Sequence, residues 1–238
     1  MKKEYKIEYD FWKKWKRKTT IEKKAIVSIK KSRSLILKSI PKNKIVAIYI
    51  KGSFVRREMN KKSDVDIVPI VKYKRLKEKI IKFDKKNREH YRPSELLPQS
   101  IMELKEKPDP FIERLNEHKL VYGKPLSQKD FPFRDNKKRL KSLIYAFRHL
   151  FFPDYEKGIF KFSALSKQVF GLTDLEERIK GKNPPKSWKY LTKSIKNKKH
   201  IIHDAWKLRK NPTKDKLIRK KFIIRLKKHL KQLEKELK

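Results

Sequence analysis

Ile45, Val46, Ile48 and Ile50 form a β-rich apolar run that breaks at Gly52-Ser53. After residues 54–63, Asp64-Val65-Asp66 leads into a second apolar run, Ile67 to Val71. The stretch 45–71 therefore reads as a strand, a Gly-Ser turn, a basic loop and a second strand. Pro69 lies inside that second run, and its missing N–H predicts an edge position or a bulge. Ahead of it, Thr19-Thr20-Ile21-Glu22 matches a capping box with Thr19 as N-cap. The helix so started runs from about Thr20 to Ser39 and stops before Pro41. Its Ile26, Ile29 and Ile36, with Ile40 just beyond, face the expected sheet. Further upstream, Tyr5, Ile7, Tyr9, Phe11, Trp12 and Trp15 stand among lysines in a helical segment expected to dock on the body of the protein.

Downstream, Tyr73 to Arg88 reads as a helix and the residues around Glu95 as a strand, the crossover expected of an α/β sheet. Ser100 to Lys107 reads as a short helix, Pro108-Asp109-Pro110 as a break, and the next helix as ending near Glu117. Residues 126–136, which include Pro132, read as a linker. Beyond them four helices are expected: Lys137 to Phe152, Tyr155 to Phe170, Ser187 to Lys210 and Thr213 to Leu237. Phe147, Leu150, Phe151, Phe160, Phe162, Leu165, Val169 and Phe170 are their expected core. The fold class that follows is α+β, with an N-terminal α/β sheet domain over 1–125 (its N-terminal helices over 4–39) and a C-terminal helical bundle over 137–238.

Composition changes this picture in one respect. Hydrophobic residues at 37% and aromatics at 11% are those of a folded chain. The absence of cysteine excludes disulfides and thiolate metal sites. No apolar run reaches the roughly 20 residues that span a bilayer, and Met1-Lys2-Lys3-Glu4-Tyr5 lacks the apolar core of a signal peptide, so no membrane partner and a cytoplasmic location are expected. The charge stands apart: 69 Lys and Arg against 27 Asp and Glu leave a net +42, spread along the chain. Such a field draws in RNA or another polyanion, nucleotides or acidic proteins. A lysine-rich proteome is the plainer source of the lysines, but the acids do not keep pace with them, so it explains the excess less readily.

The candidate chemistry lies in the 45–71 stretch. Residues two apart on a strand share a face, about 6.5–7 Å apart, so Asp64 and Asp66 project together. Two convergent carboxylates repel unless a cation or a shared proton intervenes, and hard oxygen ligands of this kind suit Mg²⁺ with substrate phosphates. Gly52-Ser53 beside them lets backbone N–H groups approach a phosphate. Gly52-Ser53, residues 54–63 and then Asp64-Val65-Asp66, between two apolar runs, resemble the signature of the polymerase-β-type nucleotidyltransferase superfamily, and within it the minimal or antitoxin-type enzymes. Leu120-Val121-Tyr122-Gly123 is similar to the run that closes that catalytic domain.

The resemblance implies an ATP or other nucleoside triphosphate substrate held by Gly52 and Ser53, with Arg56, Ser63 and an auxiliary Lys61 or Lys62 near its phosphates. It implies two Mg²⁺ ions on Asp64 and Asp66, completed by a third carboxylate, for which Glu95 is the first candidate and Glu103 the second. Where the family commonly has a second glycine this chain has Arg57, at a position where φ > 0 would cost an arginine energy. The implied reaction moves AMP from ATP to a hydroxyl on RNA or on a protein. A binding protein that has lost the chemistry and a small-molecule (aminoglycoside-type) nucleotidyltransferase are the alternatives. His200 and His203 beside Asp204 read as surface residues instead of a metal site, and adjacent Arg148-His149 does not match a ribonuclease motif, which separates its Arg from its His by several residues. The basic clusters Lys13 to Lys18, Lys193 to Lys199 and Arg219 to Lys228 read as solvated helix faces or as a positive groove.

Overall fold

The computed structural model describes residues 9–185 and 187–237; Tyr5 and Ile7 lie outside them. The chain divides into two units, one ending at Phe133 and one beginning at Arg134.

In the first unit, helix α1 (Thr20–Ser39) starts on the complete capping box, with Thr19 and Glu22 bonded reciprocally. Strand β1 (Ile45–Lys51) pairs antiparallel with β2 (Val65–Val71). A single-turn helix α2 (Ser53–Arg56) lies between them, and α3 (Lys74–Asn87) follows β2. The chain then returns parallel to β2 as β3 (Ser94–Leu96) and β4 (Gln99–Ser100). After α4 (Ile101–Glu106) and α5 (Pro110–Glu113), β5 (Lys119–Gly123) closes on the other side of β1, so the sheet order is β3-β2-β1-β5.

Strand alternation sorts the side chains into two layers. Ile48, Ile50, Val65 and Ile67 face Ile29 and Ile36 of α1, Ile80 of α3, and Trp12. Ala47, Tyr49, Val68 and Ile70 face Leu104, Phe111, Ile112 and Leu115. Pro69 is neither on an edge nor in a bulge, as its residue type had suggested: it sits in the interior strand β2 opposite Ile48. The ladder on the other side of β2 breaks between Leu96 and Gln99, alongside Val68 and Pro69, so a missing donor is tolerated there.

The second unit is helical but divided differently from the pattern reading. Helix α6 (Asn136–Ala146) passes through a π turn at Phe147–Phe151 into α7 (Phe152–Glu156). The expected helix from Tyr155 instead ends at Gly158, whose φ of +76° and N–H bond to the Tyr155 carbonyl make it a left-handed cap. A new helix, α8 (Phe162–Ile179), starts beyond it. The expected Ser187–Lys210 helix is likewise two, α9 (Trp188–Ser194) and α10 (Ile201–Lys210). Asn197 turns the chain between them and His200 caps α10, its Nδ1 accepting from Ile202 N–H. Helix α11 (Lys216–Glu236) ends the unit, capped by Asp215. Of the expected core residues, Leu150 is 52% exposed. The π turn rotates it outward while Phe147, Leu165, Val169 and Phe170 stay buried with Phe222, Leu226 and Leu230.

Candidate active site

The carboxylates gather where β2 begins. Asp66 is the cross-strand partner of Lys51 on one side and of Glu95 on the other. Directly opposed residues share a face, so Lys51, Asp66 and Glu95 form a row across three strands on the α4–α5 side of the sheet. Asp64 lies one residue before the strand, exposed, and within electrostatic reach of Asp66. Burial pushes the Asp66 carboxyl up from the usual range, Lys51 opposes this, Glu95 and Asp64 push it further up, and Arg56 opposes them. Glu95 and Asp64 therefore both lie within electrostatic reach of Asp66, and all three offer the hard oxygen donors that suit a divalent cation. Glu103, the other candidate, is drawn off by an ion pair of 2.9 Å with Lys77.

Gly52 closes the site from the side. Its backbone, φ +80° and ψ −150°, is a conformation essentially confined to glycine. A Cβ there would stand 2.6 Å from Asp66 Oδ2, closer than any carbon tolerates. Ser53 opens α2 on the next residue, and Arg56 at its end is held by Glu58 at 3.1 Å. Ser63 helps close the loop before Asp64, its Oγ accepting from Asn60 N–H at 3.0 Å; Lys61 and Lys62 are exposed in the same turn.

The position expected to demand φ > 0 does so: Arg57 is left-handed at φ +58° and is the sole non-glycine with positive φ among the described residues. Its guanidinium forks onto Glu22, at 2.9 and 3.1 Å, and lies 4.6 Å over the Trp15 ring. Arg57 holds the Glu22 carboxyl below its ordinary range. Phe11, Trp12 and Trp15 pack around Phe54, the residue after Ser53. The N-terminal aromatics and the α1 cap thus clamp the Gly-Ser turn from behind. On the far side, Glu95 is braced by Arg88 at 3.3 Å. Arg88 and buried Tyr91 both hold Asp84, with Tyr91 Oη donating at 2.7 Å. Ser94 is bonded to Ser28 of α1, Oγ to Oγ at 2.6 Å.

Two members of the neighbourhood escaped the pattern reading. Lys51 is one, its lysine placed between Gly52 and the apolar strand. His118 is the other: the Ile50–Lys119 pairing, continued one residue, sets His118 opposite Lys51. It stacks on Phe111 at 4.8 Å, and its ring nitrogens make no hydrogen bond among the described residues. Burial, then the Lys51 and Arg114 charges, lower its pKa to about 4.

Residues 34–125 match the family model for polymerase beta nucleotidyltransferases. This segment is a nucleotidyltransferase domain. Comparison with curated proteins gives no match. Among solved structures, that of spectinomycin adenyltransferase AAD(9) from Enterococcus faecialis with ATP and spectinomycin is 16% identical, with a TM-score of 0.51. It covers 86% of this chain and 99% of its own, and the likeness extends the shared fold past the nucleotidyltransferase domain. A toxin–antitoxin structure with AMP-PNP is 17% identical over 57% of this chain and 93% of its own, at a TM-score of 0.27 too slight to inform the fold.

The other sequence signals resolve outside this domain. His200 and His203 do not converge: His203 Nε2 bonds the Ile195 carbonyl at 3.1 Å, and Asp204 pairs with Arg225. His200 Nε2 and His229 Nε2 instead meet Glu176 Oε2 at 3.1 and 3.2 Å, with Lys180 on the other oxygen at 2.7 Å. These donors hold the Glu176 carboxyl well below its usual range even though burial works the other way. Because His200 Nδ1 accepts the Ile202 N–H, its Nε2 must carry the proton, and a metal ligand normally has the reverse arrangement. The cluster is a hydrogen-bonded node joining α8, α10 and α11. Arg148 pairs with Glu234, and His149 lies against Tyr145 at 4.2 Å. No helix among the described residues is long and apolar enough to cross a membrane.

Proposed function

We propose that the protein transfers AMP from ATP to an acceptor hydroxyl on RNA. The observation that carries this is the pairing of Asp66 with Glu95, with Asp64 in electrostatic reach of Asp66, beside the Gly52-Ser53 turn of a nucleotidyltransferase domain. Gly52, lacking a Cβ, leaves room for a phosphate to approach the backbone, and Ser53 presents its N–H and hydroxyl at the start of α2. Arg56 and Lys51 place positive charge against the triphosphate. The acceptor oxygen bonds to the α-phosphorus, the bond to the bridging oxygen breaks, pyrophosphate leaves, and the hydroxyl gives up its proton. Asp64, Asp66 and Glu95 are a hard-oxygen set that fits Mg²⁺, two ions on the family pattern, which when bound would neutralise the carboxylates and the charge on the reacting phosphates.

RNA is favoured as acceptor by the net charge of +42. A small-molecule acceptor is the second reading, supported by the fold shared with an adenyltransferase whose structure holds ATP and spectinomycin; the strong positive charge weighs against cationic drugs. The test is incubation with α-labelled ATP and Mg²⁺ in parallel with RNA, with cell lysate and with spectinomycin. Label on RNA is the expected result. Label on one protein band or on the drug would move the acceptor to that class, and no label anywhere would overturn the transferase reading.

A further inference from the structure

Beyond the nucleotidyltransferase domain, the second unit holds a cavity of about 330 Å³ that four lysines line. Lys189 and Lys193 come from α9, Lys198 from the loop after it, and Lys210 from α10, with Trp206 and His203 also lining it. Like charges gathered around one space repel, and an arrangement of this kind is offset by an anion. The protein supplies none: among the described residues no carboxylate pairs with any of these four lysines. The nearest acids in sequence are already taken, Asp204 by Arg225, Glu176 by Lys180 and two histidines, and Glu177 by Lys182.

The contrast with the other basic stretch of this unit is informative. On α11, Arg219 donates to the Thr213 carbonyl and lies over Phe162, Arg225 binds Asp204 and the Lys199 carbonyl, and Lys227 reaches Glu156 and Phe152. There the cations serve the fold. Around the cavity they do not, save for Lys210 near the Trp206 ring at 6.0 Å and Lys189 near Tyr190 at 6.0 Å. The volume is at the small end of ligand pockets, enough for one nucleotide unit. An indole among lysine side chains is the pairing used to hold single-stranded nucleic acid, where a base stacks and the backbone is neutralised.

We propose that this cavity binds one nucleotide of a single-stranded RNA, its phosphates on Lys189, Lys193, Lys198 and Lys210 and its base on Trp206. The proposal rests on the reading of RNA as acceptor, and binding without ATP separates the two. The experiment is fluorescence anisotropy of the full chain with a fluorescein-labelled 12-nucleotide RNA across a KCl series. One variant changes Lys189, Lys193, Lys198 and Lys210 to Gln. A control changes Lys220, Lys221, Lys228 and Lys231, on α11, to Gln and so removes the same charge. The cavity variant should lose about 30-fold in affinity at 100 mM KCl, and its log–log salt slope should shrink by about 2–3, near 0.7 per lysine. The control should lose less than about threefold, the share due to the long-range field alone. Trp206→Leu should cost about tenfold and Trp206→Phe little, since stacking survives in a phenyl ring. Equal losses in the two lysine variants would overturn the site, as would displacement of the RNA by AMP at matching concentration, which would assign the cavity to a free mononucleotide. Cavity-dependent binding with no nucleotide transfer would uphold the site and overturn only the transferase reading.

Discussion

Replacing Arg57 separates two opposed effects on one residue. Its backbone pays for a left-handed conformation, about 1–2 kcal/mol for a residue with a Cβ. Its side chain forks onto Glu22, which is 5% exposed, while Arg57 itself is 41% exposed. Removing the partner of a fully buried charge costs about 3–5 kcal/mol, but solvent screens this pair, and about 2 kcal/mol is the appropriate scale. The Trp15 contact adds about 0.5 kcal/mol. Arg57→Ala keeps the backbone penalty and loses both contacts, so it should destabilise by about 2.5 kcal/mol. Arg57→Gly loses the same contacts and recovers the left-handed penalty, less about 0.7 kcal/mol for the added freedom of the unfolded chain. It should therefore be about 0.5–1 kcal/mol more stable than the alanine variant. Urea unfolding followed by Trp12 and Trp15 fluorescence, in a Trp188→Phe, Trp206→Phe background, reads the first unit alone. A glycine variant no more stable than alanine would show that the turn carries no more than about 0.7 kcal/mol of strain. An alanine variant equal to wild type would show that the Glu22 clamp bears no load.

Gly52→Ala drives a methyl into Asp66 and takes on a glycine-only conformation, so transfer should fall about 100-fold with about 1–3 kcal/mol of stability lost; steady-state kinetics and a thermal melt check both. Lys51→Met should raise the KM for ATP about tenfold, equivalent to about 1.4 kcal/mol, and Lys51→Arg should restore part of it; an unchanged KM in both would remove Lys51 from the phosphate site. His118 has its folded pKa depressed to about 4, so the unfolded chain takes up a proton first as pH falls. The associated stability is intact above about pH 6.5 and is lost progressively toward pH 4, on the order of 3 kcal/mol in all. Urea midpoints at pH 7, 5.5 and 4 should fall less steeply in His118→Phe, which keeps the stacking on Phe111.

What could be read from the sequence was local. The Thr19 cap, the β1 and β2 runs and the Gly52-Ser53 turn are each specified within a few residues, and their placement follows from residue type. The adjacency of Glu95 to Asp66 depends on a parallel register set only after α3 returns the chain, which no local pattern encodes. Lys51 and His118 were hidden for the same reason: Lys51 meets Asp66 only once β1 pairs with β2, and His118 joins them only once β5 pairs with β1. The consequence of Arg57 was legible as a conformational cost, whereas its compensation by Glu22 and Trp15 was not, because those residues meet it through the tertiary fold. In the second unit, helical periodicity ran on through Gly158 and Asn197, where caps stop the backbone without interrupting the apolar pattern. Leu150 was misplaced because a π turn shifts the phase that the pattern assumes to be constant.

The central claim is that Asp64, Asp66 and Glu95 act beside Gly52-Ser53 as one site for nucleotidyl transfer. It is tested most directly by label transfer from α-labelled ATP to RNA in the presence of Mg²⁺, comparing wild type with the Asp64→Asn, Asp66→Asn double variant at matched circular dichroism. The account predicts transfer by wild type and a loss of at least about 1,000-fold in the variant, since removing charges that act at the transition state costs about 4 kcal/mol or more. A variant that transfers label as fast as wild type would contradict it.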